Sequence, residues 1–325
     1  YGWSYGFAAA GVGMSFGLIT FISGRKLLLG KGESKVPEFL AEKTIGIKNE
    51  WGIYAVSVAS ILVIWQMVQS HSIVQNLLIV AGSISFVYIL YYALTQLDKI
   101  ARERLFSLTI LIVFTVIFWA LFEQAYTSLN LFADRILDRG VIPAGNFLSL
   151  NALFIVLLAP VFAWLWVKLG KYNPNTAVKF SIALLLVGLG FGSLVFGINI
   201  SEMGKVSMFW LVLTYFLHTC AELCLSPVGL SAVTKLSPIK IVGFMMGVWF
   251  LATAGSEFIA SILANIASVD TSNGEAPDLN LAKQSYLKLF EYLFYTGIGF
   301  GIVLLALSKS INKLMHGVDK ELNNE

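Results

Sequence analysis

Charge is scarce in this sequence. Only 22 Lys and Arg and 19 Asp and Glu occur in 325 residues, against 57% hydrophobic side chains and a mean hydropathy of +0.79. So few charges cannot cover an ordinary soluble surface, which excludes a water-soluble globular protein. Histidine and cysteine are sparser still, at three and two residues. Cys220 and Cys224 stand in a CxxxC rather than a CxxC spacing and read as small packing residues. His218, Cys220, Glu222 and Cys224 look like a metal set on paper. At ~100° per residue, however, they divide between two faces of a helix, and a metal needs its ligands to converge. No metal or cofactor is expected. A Ser/His/Asp or His/Asp constellation on converging segments is also missing, which argues against an intramembrane enzyme. No low-complexity tract or soluble domain occurs, and no nucleic acid partner is expected.

What is present is apolar sequence in blocks of about 20, the length a helix needs to cross ~30 Å of hydrocarbon. Nine blocks cover roughly 2–23, 51–69, 74–96, 105–132, 146–168, 179–200, 206–235, 241–268 and 286–311. Without water each backbone N–H and C=O must be satisfied within its own segment, so the blocks should be helices. The fold class is an all-α integral membrane protein.

Loop charge gives an orientation. Arg25, Lys26, Lys31, Lys35, Lys43 and Lys48 fill 24–49, whereas 70–73 has no Lys or Arg. Lys99, Arg102 and Arg104 follow; 133–145 balances Arg135 and Arg139 against Asp134 and Asp138. Lys168, Lys171 and Lys179 frame the next turn, then Lys205 stands alone, then Lys235 and Lys240 flank a Ser-Pro. The 269–285 loop has three acids and one Lys, and the tail carries Lys309, Lys313 and Lys320. Basic and less basic loops alternate, which places the C-terminus in the cytoplasm of a multi-pass protein of the cell inner (plasma) membrane. The chain opens inside a span, with neither an initiator Met nor a signal peptide. It is expected to be the C-terminal part of a longer transporter whose N-terminal half is its missing partner.

Four segments follow from this pattern: a helix at 1–23, a basic cytoplasmic linker at 24–49, a bland hairpin at 50–97 and a six-helix bundle with its tail at 98–325. Neither hairpin helix has an ionisable residue deep in its apolar stretch, so both can face lipid. Six helices make half of a major facilitator bundle, which is built from two such halves around a midplane site. Gly13/Gly17 and Gly243/Gly247 have the spacing for close helix approach. Pro160 and Pro227 lie inside spans and should bend them.

The informative residues are the polar ones inside the spans. A charge at a helix centre costs roughly 2.5–3.5 kcal/mol, so it needs a partner, a cavity or a neutral form. Glu123 is flanked at i−4 and i+3 by Trp119 and Tyr126, on one helix face. It reads either as a structural acid paired to a neighbouring helix or as a group alternating between a protonated state and an ion pair. His218, Glu222 and Ser226 form one polar stripe, with Glu222 the better functional candidate and His218 either a packing residue or a proton participant. Trp249, Thr253 and Glu257 share a face of the next span; Asn151 and Asn199 are weaker signals near helix ends. Acids that attract an ammonium group, aromatics that receive it and amides suit a zwitterionic organic solute and supply groups for coupling to protons.

Two stretches carry a resemblance. "FWALFEQAYTSLNLFADR" (118–135) and "AELCLSPVGLSAVTKLSP" (221–238) are similar to the signatures of the seventh and tenth core helices of the proton-dependent oligopeptide transporters, a family of the major facilitator superfamily. "LGKYNPNTAVKF" (169–180) resembles the turn after their eighth helix and "GFMMGVWFLATA" (243–254) their eleventh. The hairpin 51–96 resembles the two extra helices of prokaryotic members, and the likeness runs from the sixth core helix to the end of the chain.

The resemblance implies proton-coupled symport of di- and tripeptides into the cell by alternating access; the alternative is a proton-coupled facilitator for another small organic solute or nitrate. It also implies roles. Glu123 corresponds to the proton-coupling acid that pairs with a base of the N-terminal half, with His218 the further proton candidate. Glu222 corresponds to the acid on the peptide amine, Ser226 to a hydroxyl beside it, Asn151 to an amide on the peptide, and Trp119 and Trp249 to pocket aromatics. Asp134 and Arg135 are implied at the extracellular gate. Glu257 departs from the pattern, standing where a neutral residue, commonly Asn, is expected, and "AYTS" at 125–128 replaces a stretch richer in Gly and Ser. The family's Glu-x-x-Glu-Arg motif has no match, so this chain alone is not expected to transport.

Overall fold

The computed structural model describes residues 3–30, 33, 34, 36–44, 46–201, 204–265 and 279–318. Lys31, Lys35, Lys320 and most of the 269–285 loop lie outside the described residues. Among those described, nine helical stretches are long and apolar enough to cross a membrane, from Ser4–Leu28 to Leu279–Leu314. The chain divides into two compact units, residues 1–74 and 75–325.

The first unit holds α1 (Trp3–Gly24), the short α2 (Pro37–Ala41) and α3 (Asn49–Val68). Pro37 starts α2 because its missing N–H is one that a first helical turn leaves unused. An antiparallel pair, β1 (Lys43–Thr44) and β2 (Ile47–Lys48), folds the linker back. Asn49 then pins it: its side chain donates to the Phe39 carbonyl at 2.8 Å and its backbone N–H to the Glu42 carbonyl at 2.9 Å. The Arg25 guanidinium grips Glu33 through two nitrogens and holds that carboxyl below the usual carboxylate range. α1 and α3 are exposed almost throughout, as an apolar helix can be where its solvent is lipid.

The second unit contains α4 (His71–Thr95) from Gln75 onward and then α5 (Lys99–Phe122), α6 (Ser128–Arg135), α7 (Ser149–Leu169), α8 (Thr176–Ile200), α9 (Met208–Leu236), α10 (Val242–Asn265) and α11 (Leu279–Leu314). α4 leaves most of its surface open and packs one part of it. Ile89 and Ala93 are buried, and Tyr88 meets Phe244 of α10 edge-on at 4.9 Å. Two-residue strands β3 (Leu137–Asp138) and β4 (Val206–Ser207) pair in parallel and tie the loop after α6 to the start of α9.

The helices approach most closely where glycines face each other. A Cβ on Gly297 of α11 would stand 2.7 Å from the Gly188 Cα of α8, so no larger residue fits at that crossing. One turn on, Gly301 lies against Leu185 and its carbonyl accepts from Ser181 Oγ at 2.8 Å. Among the described residues, a Cβ on Gly243 or Gly247 would meet no atom within 4 Å. Spacing marks where a helix is thin, and a partner's position decides whether that matters. Pro160 and Pro227 do lie inside helices, α7 and α9.

An aromatic row links the elements. Phe122 of α5 lies 6.0 Å from the His218 ring of α9, which meets Phe191 of α8 at 4.9 Å. Phe191 continues to Phe290 of α11, and Phe290 to Phe132 of α6.

Candidate functional site

The span that carries Glu123 is broken. α5 ends at Phe122, Glu123–Ala125 form a single 3-10 turn, and α6 begins at Ser128. Thr127 at φ −116°, ψ −94° takes the backbone out of the helix. The α-helical spacing that put Trp119, Glu123 and Tyr126 on one face therefore stops at Glu123. Such breaks in a membrane are tolerated only where the freed backbone is buried in protein or lines a cavity. Here it is buried: Gln124 and Ala125 are enclosed, and the Tyr215 hydroxyl of α9 reaches the Ala125 carbonyl at 3.5 Å.

Around the break stand three carboxylates. Glu123 and Glu222 are half-buried and Glu257 is exposed, and both of the others lie within electrostatic reach of Glu123. The Tyr126 hydroxyl, on a mostly exposed side chain, feels all three. Among the described residues none of the three acids has an ion-pair partner. Like charges this close disfavour one another, and a cation placed between them relieves it.

Glu222 has the most defined surroundings. Asn151 on α7 donates from Nδ2 to Glu222 Oε2 at 3.0 Å and to Thr219 Oγ1 at 3.2 Å. Both amide hydrogens are thus used, and Oδ1 remains to accept. Thr219, one turn before Glu222, passes the chain on to the Tyr215 carbonyl at 2.8 Å. Ser226 follows Glu222 by one turn and is half-buried.

Other expected members stand elsewhere. His218 does not share the Glu222 surroundings: it is 1% exposed, its Nε2 lies 3.2 Å from the Val187 carbonyl, and Gly190 is small because the ring fills the place of a side chain there. Trp249 is 4% exposed, its ring lying where a side chain on Gly229 would stand. Trp119 is half-buried between the edges of Phe118 and Phe122, and its indole Nε1 is buried without a hydrogen-bond partner. Asp134 pairs with Arg139 at 2.7 Å, not with Arg135, which lies against the Tyr286 hydroxyl of α11.

Two contributors were missed in the sequence. Thr219 sits at i−3 from Glu222, on the face toward α7, but a threonine in an apolar helix is too common to stand out. Gln124 adjoins Glu123 and carries the break. An apolar cleft of about 350 Å³ opens between α4, α5 and α10, lined by Ile79, Phe86, Val113, Val248 and Phe258 among others; no acid lines it. Among the described residues no group of three His, Cys, Asp or Glu could hold a metal ion.

The model of the POT family matches residues 1–280. The chain belongs to the POT family. This POT member is 36% identical over 329 residues to the uncharacterized transporter YclF of Bacillus subtilis (strain 168), covering 98% of this chain and 63% of that protein. It is 33% identical over 298 residues to the peptide transporter YePEPT of Yersinia enterocolitica subsp. palearctica serotype O:3 (strain YE-P4), covering 83% and 57%. A crystal structure of a peptide transporter, POT, in complex with sulfate superimposes with a TM-score of 0.72 at 33% identity, over 97% of this chain and 63% of that one. The POT chain described here thus spans less than two thirds of each of these relatives. Its fold is that of a major facilitator carrier, and its family is one of multi-pass membrane transporters.

Proposed function

We propose that the full-length protein is a proton-coupled symporter that carries di- and tripeptides into the cell across the plasma membrane, its C-terminus in the cytoplasm. In this reading α1 closes the N-terminal bundle, residues 50–97 are an inserted hairpin, and residues 98–325 form the second bundle. The observation that carries the proposal is the Asn151–Glu222 pair standing beside two further acids that have no cationic partner among the described residues.

A peptide's ammonium group suits that arrangement. It presents three N–H donors, and Glu222 with Asn151 Oδ1 offers matching acceptors. Glu123 then serves as the acid that alternates between a proton and a base of the other half. Protonation from outside weakens that pair, the halves rock around the bound peptide, and peptide and proton leave inward. Ser226 lies beside the amine position and Trp119 flanks the acids, while Asp134 and Arg135 stand at the outer end of the bundle. His218 and Trp249 serve as packing residues that hold α8, α9 and α10 in place.

The test is uptake of labelled dialanine into proteoliposomes of the full-length protein, with and without an inward proton gradient. Wild type should accumulate peptide only with the gradient. Glu123→Gln should lose gradient-driven uptake and keep peptide counterflow; Glu222→Gln should lose both. Wild-type protein that moves no di- or tripeptide under any gradient would overturn the peptide assignment.

A further inference from the structure

Gln124 is the fully buried residue next to Glu123, at 0% exposure inside the break. Its Nε2 donates to the Ala120 carbonyl of α5 at 3.2 Å and to the Ala260 carbonyl of α10 at 3.0 Å. Its Oε1 accepts from Ser128 Oγ at 2.7 Å and from Thr127 Oγ1 at 3.4 Å. A primary amide has two donors and two acceptor positions, and all four are used. The orientation is unambiguous, because a flipped amide would set Oε1 against two carbonyl oxygens that cannot donate.

This is more than a helix cap. Ala120 lies in the last turn of α5, Thr127 precedes and Ser128 begins α6, and Ala260 belongs to α10, so one side chain spans the break and ties it to a third helix. Ala260 follows Glu257 by three residues, a neighbour on the helix surface. The bond to Ala260 therefore sets where the Glu123 turn stands relative to Glu257.

We propose that Gln124 is a positioning residue for Glu123: its amide locks the break in α5 onto α10 and thereby sets the distance and direction of the Glu123 carboxylate relative to Glu222 and Glu257. The proposal rests on reading Glu123 as the titrating acid of the carrier. The titratable groups that act on Glu123 are Glu222 on α9 and Glu257 on α10, with Tyr126 on its own segment and the Tyr215 hydroxyl of α9 on the Ala125 carbonyl of the same turn. Moving the Glu123 turn changes its spacing to all of them, so its protonation should respond even though Gln124 carries no charge.

The readout is the infrared band of protonated carboxyl groups, followed against pH in the purified full-length protein. Loss of a titrating band in Glu123→Gln assigns the Glu123 signal. Gln124→Leu is expected to move its midpoint by about half a pH unit or more, and Ser128→Ala, which removes one of the four bonds, by less in the same direction. A purely structural role would lower the melting temperature and leave the midpoint in place. An unmoved midpoint in folded Gln124→Leu overturns the proposal. If that variant fails to fold, unmoved midpoints in Ser128→Ala and Thr127→Val overturn it, and so does the absence of any band lost in Glu123→Gln. Dialanine uptake by wild type is scored separately. A shifted midpoint in a protein that carries no peptide would uphold Gln124 and remove the peptide assignment.

Discussion

The side of the bundle around α8 and α11 and the side around Glu123 and Glu222 are both built from apolar helices and use their polar atoms differently. On the first side the named hydroxyls each reach a backbone carbonyl, with Ser193 and Thr214 also 3.0 Å from one another. Ser181 donates to the Gly301 carbonyl, Ser193 to the Gly190 carbonyl at 2.7 Å, and Thr214 to the same carbonyl at 3.0 Å. Glycines then let the helices touch. On the second side polar side chains meet one another: Asn151 with Glu222 and Thr219, and Gln124 with Ser128. The contrast teaches that composition marks membrane helices, whereas the partner of each polar atom separates scaffold from site. In lipid both arrangements satisfy hydrogen bonds, but only the second leaves acceptors for a solute.

The largest effect should come from breaking the scaffold side. Gly297→Val places branched carbon where Gly188 backbone lies 2.7 Å from a Cβ, and neither helix has a flexible atom to move aside. Overpacking typically costs about 1–3 kcal/mol and more where backbone is the obstacle. The expected result is a protein that melts far below wild type or does not fold, seen by thermal unfolding in detergent. Gly247→Ala, in open space, should melt like wild type. Equal melting of the two variants would mean that the glycine crossing does not hold the bundle together.

A middle-sized effect belongs to the site side. Asn151→Leu keeps volume and removes the bond to Glu222, leaving the carboxylate without its amide partner. A hydrogen bond to a charged group contributes about 1.5–3 kcal/mol, so the KM for dialanine counterflow in the full-length protein should rise roughly tenfold or more. Stability should change little, because α7 buries no residue in the core. An unchanged KM would detach Asn151 from the amine position and leave Glu222 alone there.

Much of this division was legible in the sequence and some was not, for identifiable reasons. The spans could be read because hydrocarbon demands about 20 apolar residues and self-satisfied backbone. Glu123, Glu222 and Asn151 could be singled out because polar groups in spans are costly and few. The break at Glu123 could not: Gln124, which spans it, bonds to the Ala260 carbonyl, 136 residues further along the chain. Helical spacing put His218 on one stripe with Glu222, while the resemblance implied Trp249 for the pocket. Spacing does not tell how wide the stripe is: Glu222 meets α7 through Asn151, while His218, one turn earlier, meets α8.

His218 therefore gives the smallest and sharpest test of the comparison. If it belongs to the scaffold side, its work is one hydrogen bond to the Val187 carbonyl and ring contacts with Phe122 and Phe191. Its Nδ1 is buried with no partner, so a second N–H on this ring would have nothing to donate to. His218→Leu removes the one bond and keeps an apolar body in the niche opposite Gly190. Stability should fall by about 1 kcal/mol, read as a slightly lower melting temperature, with the pH profile of gradient-driven dialanine uptake unmoved. The opposite outcome, a displaced pH profile at unchanged melting temperature, would transfer His218 to the acid side. It would also mean that the His218 ring exchanges a proton despite its packing against Phe122 and Phe191.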